Sequence, residues 1–480
     1  MQYEAVIGLE IHAQLLTTTK IFCGCSTAFG SSPNTNVCAV CLGFPGALPV
    51  LNGRAVELAA RAALALGCDV QPLSIFARKN YFYPDLPKGY QISQYEQPLA
   101  TAGRLTFDFE GEAIDVGITR VHMEEDAGKS LHEGLPDSAR RTHVDFNRSG
   151  VPLIEIVTEP DLRSAASAAR CFEQLREILV SIGVNDGNME EGSLRCDANV
   201  SVRPVGDTAL GVKTEVKNLN SFRFVRQALE HELERQTGVI AAGGRVVQET
   251  RLWNVAAGRT ESMRSKEEAH DYRYFPEPDL PPLCLEPAWI AGVRGDLPEL
   301  PEARRRRFVE EYGLPVYDAG VLTRSDAFAD YFERTARASA NAKAASNWIM
   351  GELSRKLNEE GHELSAVPIA PDALADLISL VDAGTISGSI AKQVFETMYA
   401  TGRPARAIVE AEGLSQIDDE AALTAIVARV IDEQPKAVQE YRGGNTRTLG
   451  FLVGQVMKAS RGKANPRLVN TLLERELDRK

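Results

Sequence analysis

Polar and apolar positions alternate with period two over residues 6–15: Leu9, Ile11, Ala13 and Leu15 fall on one face, Glu10, His12 and Gln14 on the other. That pattern predicts a half-buried strand, with Glu10 and His12 side by side on the polar face of a sheet. Residues 193–203 repeat it, with Leu194, Cys196, Ala198, Val200 and Val202 inward and Arg195, Asp197, Asn199, Ser201 and Arg203 outward. Residues 211–219 set Val212, Thr214 and Val216 against Lys213, Glu215 and Lys217. A fourth strand leads into residues 120–130, Arg-Val-His-Met-Glu-Glu-Asp-Ala-Gly-Lys-Ser. Strict alternation puts Val116, Ile118, Arg120, His122 and Glu124 on one face and Val121, Met123 and Glu125 on the other. A regular strand cannot aim Glu124 and Glu125 at one cation, so a bulge or the turn before Gly128 is expected to re-aim one of them.

Helical character is expected over residues 54–66, 164–182 and 347–357, and over 466–477, where Leu468, Leu472 and Leu473 share a face. Between the strands, residues 78–90 (Arg-Lys-Asn-Tyr-Phe-Tyr-Pro-Asp-Leu-Pro-Lys-Gly-Tyr) form an aromatic, basic loop, either a ligand surface or a packed loop. Residues 263–279 also mix Arg and Tyr in a way that suits a polyanion. The proline-rich stretch 276–301 and the Thr-Gly-Arg-Pro at 401–404 break the chain. Beyond Glu302, Ala, Leu, Glu and Arg dominate, and Arg304 to Arg307 read as a solvated helical face. The expected organisation is α+β over residues 1–293, all-α over 294–402 and a small helical tail over 403–480.

Composition changes this picture little. The chain has 480 residues, 44% hydrophobic and 25% charged, an ordinary globular balance. No run of about 18 apolar residues or secretory leader is evident, so the expectation is a cytoplasmic protein away from membranes. A net charge of −13 argues against indiscriminate nucleic-acid binding. Residues 441–480, however, carry nine Lys/Arg against three acids, either a local polyanion site or a solvated face.

Two short-spaced cysteine pairs, Cys23/Cys25 and Cys38/Cys41, have the spacing of a tetrathiolate zinc site, which would be structural because it leaves no open position. Cys68, Cys171, Cys196 and Cys284 read as small buried hydrophobes. The Gly-Lys-Ser at 128–130 is not a P-loop, since the required upstream glycine position holds Met123 and residues 131–137 read as loop. Four strands each offering a carboxylate on a polar face suggest a metal–nucleotide floor; the alternative is the solvated face of an antiparallel sheet.

Several motifs carry a resemblance: Gly-Leu-Glu-Ile-His at 8–12, residues 78–96, 122–129 and 145–159, Met-Glu-Glu-Gly-Ser-Leu-Arg-Cys-Asp-Ala-Asn at 189–199, Lys-Asn-Leu-Asn-Ser-Phe at 217–222, residues 271–279 and 450–457, and Gly-Lys-Ala-Asn-Pro at 462–466. In order and along the whole chain, they resemble the GatB component of the tRNA-dependent amidotransferases. The resemblance implies an antiparallel-sheet cradle of the glutamine synthetase/guanido kinase type, an all-α helical domain and a small α-helical tail for tRNA. It also implies a heterotrimer with an amidase-type glutaminase partner and a small belt-like partner. Misacylated tRNA would be the substrate, with the matching aminoacyl-tRNA synthetase a further candidate partner. The implied reaction is ATP-dependent activation of the side-chain carboxylate of Asp-tRNA(Asn) or Glu-tRNA(Gln), followed by amidation. On that reading Glu10, His12, Glu124, Glu125, Asp197 and Glu215 are candidate Mg²⁺ ligands, and Lys79, Lys129 and Arg195 candidates for phosphate contact. Glu10, His12, Glu125, Lys79, Lys129 and Arg195 would be the catalytic set. The residues alone leave open a free-standing carboxylate–amine ligase and a non-enzymatic RNA-binding scaffold.

Overall fold

A computed structural model describes residues 2–131, 137–138, 140–265, 272–416, 420–460 and 462–478. Residues 266–271 of the Arg/Tyr segment, most of the expected loop at 131–137, and Arg461, Arg479 and Lys480 of the basic tail lie outside the described residues. The chain divides into two compact units, Met1–Glu302 and Ala303–Lys480.

The first unit is built on a mixed sheet of nine strands, with Tyr3–Gln14 at its centre. Leu194–Pro204 pairs antiparallel on one side of it and Pro152–Thr158 on the other, followed by Glu112–Glu125 and Ala100–Phe109. One neighbouring pair is parallel, Thr214–Lys217 with Glu249–Asn254, and the helix Phe222–Ala241 makes the crossover between them. Periodicity did not reveal the hairpin Glu249–Asn254/Arg259–Ser265, because polar residues occupy nearly every position there. The apolar sheet face is covered by the helices Gly53–Ala65, Ala165–Ser181 and Phe222–Ala241, giving one core that contains Ile7, Leu9, Ile11, Phe172 and Leu229. Burying each such side chain contributes about 1.5–3 kcal/mol. These helices start where Asn52, Ser164 and Ser221 accept bonds from otherwise unpaired amides.

Strict alternation fails along Glu112–Glu125. Register against Pro152–Thr158 shifts between Val157 and Thr158 and skips Thr119, while Ala102 on the adjacent strand takes φ 57°. The bulge reverses side-chain parity, so Val116 and Ile118 join Val121 and Met123 in the core. It leaves Arg120, His122 and Glu124 on the polar face, and Glu125 stays on the opposite one.

The expected loop at 78–90 begins and ends as strand: Phe76–Asn80 pairs with Tyr90–Gln94 on one side and Phe275–Pro276 on the other. Arg78 locks this small sheet with a bidentate pair to Glu277, at 2.7 and 2.8 Å, and stacks 4.2 Å over Tyr90. The helix Pro287–Gly295 packs on Gly53–Ala65 through Val293. It therefore belongs to the first unit, which runs past residue 293 to Glu302. Cys68, Cys171 and Cys196 are buried, whereas Cys284 is exposed in the short strand Leu283–Cys284.

The second unit holds two separate helical cores. One spans Phe308 to Val409, the other Leu423 to Leu477. Gly402, at φ 68°, and Pro404 end the helix Gly388–Thr401 between them. The arginine run is not a solvated face throughout. Arg304 is 9% exposed and pairs with Glu333 at 2.8 Å and with Asp330, and Arg307 reaches Glu333 at 2.7 Å. The helical stretch expected at 347–357 carries a π-turn, Ile349–Leu353, continued by Ser354–Glu360. The closing helix Pro466–Asp478 buries Val469, Leu472, Leu473 and Leu477, with Leu468 half-buried. Among the described residues no helix is long and apolar enough to cross a membrane.

Candidate active site

Strand register alone assembles the centre of the site. Arg195 lies opposite His12, His12 opposite Glu155, and Glu155 opposite His122, so four strands contribute one residue each to a row across the polar face. Glu124 joins from one step along its strand. His12 Nε2 is 3.3 Å from Glu155 and 3.9 Å from Glu124; His122 Nε2 is 3.4 Å from Glu155 and 3.7 Å from Glu124. One ligand atom each of His12, Glu124 and Glu155 lies within 4.8 Å of the others. Burial works against charge on His122, yet Glu155 and Glu124 outweigh it and push the imidazole up to about 9. His12 is raised for the same reason. Both carboxyls are held below the ordinary carboxylate range, because the imidazoles more than offset burial.

Lys79 is carried over this cluster by the small sheet. Burial opposes its charge, but Glu124, Tyr274 and Glu155 raise its pKa overall. Its ammonium sits 5.1 Å above the Tyr272 ring and 5.9 Å above Tyr81. Lys79, Tyr81, Phe82, Tyr83, Lys217 and Tyr272 line part of a cavity of about 1250 Å³.

The other acids and bases expected at the site are held in separate groups. Glu125 turns away from the row: it pairs with Lys88 and accepts from the Ile92 amide at 2.8 Å. Asp197 and Glu215 converge on Lys217, at 2.6 and 3.1 Å, and Glu215 also accepts from Thr250. Glu10 accepts from Asn199 at 2.8 Å and does not enter the His12 group. Arg195 donates to Asp126 at 2.9 Å, beside Gln14 at 2.8 Å, and this holds Asp126 ionised despite burial. Lys129 is exposed and lines a second cavity, of about 540 Å³, with Arg148 and Arg195. Gly128 lets three segments meet there; a Cβ would lie 2.9 Å from the Asp85 oxygen and 3.0 Å from that of Asp145. Its neighbours Lys129–Leu131 form a strand paired with His143–Asp145, not a phosphate loop entering a helix.

Glu155, His122, Asp126 and Lys88 were missed as site residues. Glu155 sits in the largely apolar strand Pro152–Thr158, where a lone carboxylate was the available signal.

The four cysteine sulfurs lie within 4.8 Å of one another, so the donor set fits a tetrahedral thiolate site for zinc. Cys41 is pushed down to about 4, first by the hydrogen bond from Cys23.

Residues 5–291 match the model of the GatB/GatE catalytic domain, and residues 330–477 match that of the GatB domain. The B-type subunit of the aspartyl/glutamyl-tRNA(Asn/Gln) amidotransferase of Moorella thermoacetica is 58% identical over 477 residues, covering 99% of this chain and 100% of that protein. Its counterpart in Caldanaerobacter subterraneus subsp. tengcongensis is 57% identical over 479 residues, 100% of each, and that of Geotalea daltonii 56% over 477. With both domains matched in order and more than half of all positions identical, the chain belongs to the GatB family, the B-type subunits of the aspartyl/glutamyl-tRNA(Asn/Gln) amidotransferases.

Proposed function

We propose that this chain activates the side-chain carboxylate of Asp-tRNA(Asn) or Glu-tRNA(Gln) with ATP and amidates it with ammonia made on a glutaminase partner. The observation that carries the reading is the His12–Glu155–His122 row with Glu124 beside it, roofed by Lys79. A carboxylate resists attack by ammonia because its leaving group would be oxide. A carboxylate oxygen takes the γ-phosphoryl of ATP and ADP departs; ammonia then adds at the carbonyl carbon, and phosphate and a proton leave. Phosphoryl transfer asks the protein mainly for positioning and charge compensation.

Glu124 and Glu155 offer the oxygen donors that Mg²⁺ prefers, with His12 in reach, so these three would hold the ion. Bound there, Mg²⁺ would supply charge for the ATP phosphates. Lys79, within electrostatic reach of the same carboxylates, would meet the transferred phosphoryl. Arg195, fixed by Asp126, and Lys129 border the second cavity, where they suit the substrate's anionic end. Asp197, Glu215 and Lys217 form a neighbouring ion-paired group, with Glu10 opposite Asp197 and held by Asn199, and together they set the charge of the sheet face.

The cysteine knob is a structural zinc site in this reading. The first unit is the cradle, residues 303–402 a helical connector and residues 403–480 the tRNA-binding tail, working in the cytoplasm with the glutaminase and the small belt-like partner. The decisive experiment measures amide formation on Asp-tRNA(Asn) and Glu-tRNA(Gln), with ATP, Mg²⁺ and ammonium, using the chain with both partners. ATP-dependent product on either is expected. No product on either, with tRNA still bound, overturns the proposal.

A further inference from the structure

Lys20 is 0% exposed, one of the largest side chains wholly enclosed in the protein. A lysine is almost never fully buried without a partner, since stripping water from an ammonium is costly. Its Nζ donates to the Phe146 carbonyl oxygen at 3.2 Å. Among the described residues no carboxylate lies within ion-pairing distance of it. The acids lining the same cavity of about 210 Å³ are committed elsewhere, Glu125 to Lys88 and Asp279 to Arg78. One neutral carbonyl does not balance a buried charge.

Sulfur lies around it instead. Cys23 and Cys41 line that cavity with Lys20, and the ammonium is within electrostatic reach of Cys41. The Lys20 amide donates to the Cys25 carbonyl at 2.9 Å, tying its backbone to the knob. Gly150 fits between the two side chains: a Cβ there would be 3.5 Å from Lys20 Cδ and 3.6 Å from Cys41 Cβ.

We propose that Lys20 is the buried counter-cation of a tetrathiolate metal centre formed by Cys23, Cys25, Cys38 and Cys41. The inference rests on reading the knob as a zinc site. Four thiolates around a divalent ion carry an excess of two negative charges, and the ammonium offsets one of them. Each favours the other. Without the metal fewer thiolates face Lys20, and its charge is less fully offset in the wall that also holds Lys88 and Glu125. Lys20 is thus a positioning residue that couples metal loading to the integrity of that wall.

The test compares the full-length chain with Lys20→Met and Lys20→Arg. Zinc content is measured by mass spectrometry, zinc affinity by competition with a chromogenic chelator, and the thiolate-to-cobalt absorption band after cobalt substitution. Lys20→Met should weaken zinc binding by about ten- to a hundredfold, the usual cost of losing a group outside the ligand set. Lys20→Arg, which keeps the charge, should stay within about threefold on the same scale. Chelation should also lower the unfolding midpoint of the wild-type chain more than that of Lys20→Met. Equal affinity and an unchanged cobalt band in Lys20→Met would overturn the proposal. If that variant does not fold, Lys20→Gln against Lys20→Arg decides, and equal affinities again overturn it. A wild-type chain with no affinity for zinc would sink the reading of the knob itself.

Discussion

At the scale of single residues, the neighbours Glu124 and Glu125 have opposite fates. Glu124 faces two imidazoles, while Glu125 faces Lys88 on the far side of the sheet. Glu124→Gln or Glu155→Gln should cut ATP-dependent amidation by at least about a hundredfold and raise the Mg²⁺ requirement, with tRNA affinity unchanged in a filter-binding assay. Glu125→Gln strands a buried ammonium, so it should lower the unfolding midpoint and leave the Mg²⁺ requirement of the remaining activity unaltered. The imidazoles set a pH dependence. His122 is raised from an unfolded value of about 6.5 to about 9 when folded, so its contribution to stability is full below the lower value. It is lost as pH rises through the higher one. Urea midpoints measured in a chelator should therefore fall between neutral pH and about pH 9, and His122→Asn should flatten that fall. Legibility was uneven at this scale. Glu10, His12, Arg195 and Asp197 could be placed on one polar face because each alternates within its own strand. Glu155 could not, since its role comes from the strands on either side.

At the scale of elements, period-two strands and capped helices declared themselves, and irregular segments did not. The bulge at Thr119 reversed the facing of Val116 and Ile118, because one extra residue shifts every side chain beyond it. The small sheet over the site pairs residues nearly two hundred positions apart, beyond the reach of any local pattern. In the second unit, Glu333 is the shared acid of Arg304, Arg307 and Arg337. Burial works against its charge, but Arg307 and Arg304 bring it down to about 2, so its contribution is present above ordinary carboxylate values and lost as pH falls toward that point. Glu333→Ala should cost about 2 kcal/mol by chemical denaturation, since it takes from Arg304 and Arg307 the buried carboxylate they share. Ser221→Ala removes the cap of Phe222–Ala241 and should cost about 1 kcal/mol.

At the scale of the whole molecule, the chain divides into two units, and the proposal gives tRNA binding to the end of the second. Ending the chain at residue 402 should leave the first unit folded by circular dichroism and weaken tRNA binding at least about tenfold; unchanged affinity would remove the tail from recognition. The sequence by itself determined the family, the α+β-then-helical order, the zinc-type cysteine spacing and the chemical character of the polar face. Each of these is written in local residue types and their periods. Tertiary structure alone decided which acids meet. It placed Glu155 between two histidines, turned Glu125 toward Lys88, gathered Asp197 and Glu215 on Lys217 and enclosed Lys20 beside the thiols. The physical reason is that electrostatic partnership depends on distances across strands. Those distances follow from register and bulges, which every strand in the sheet sets together.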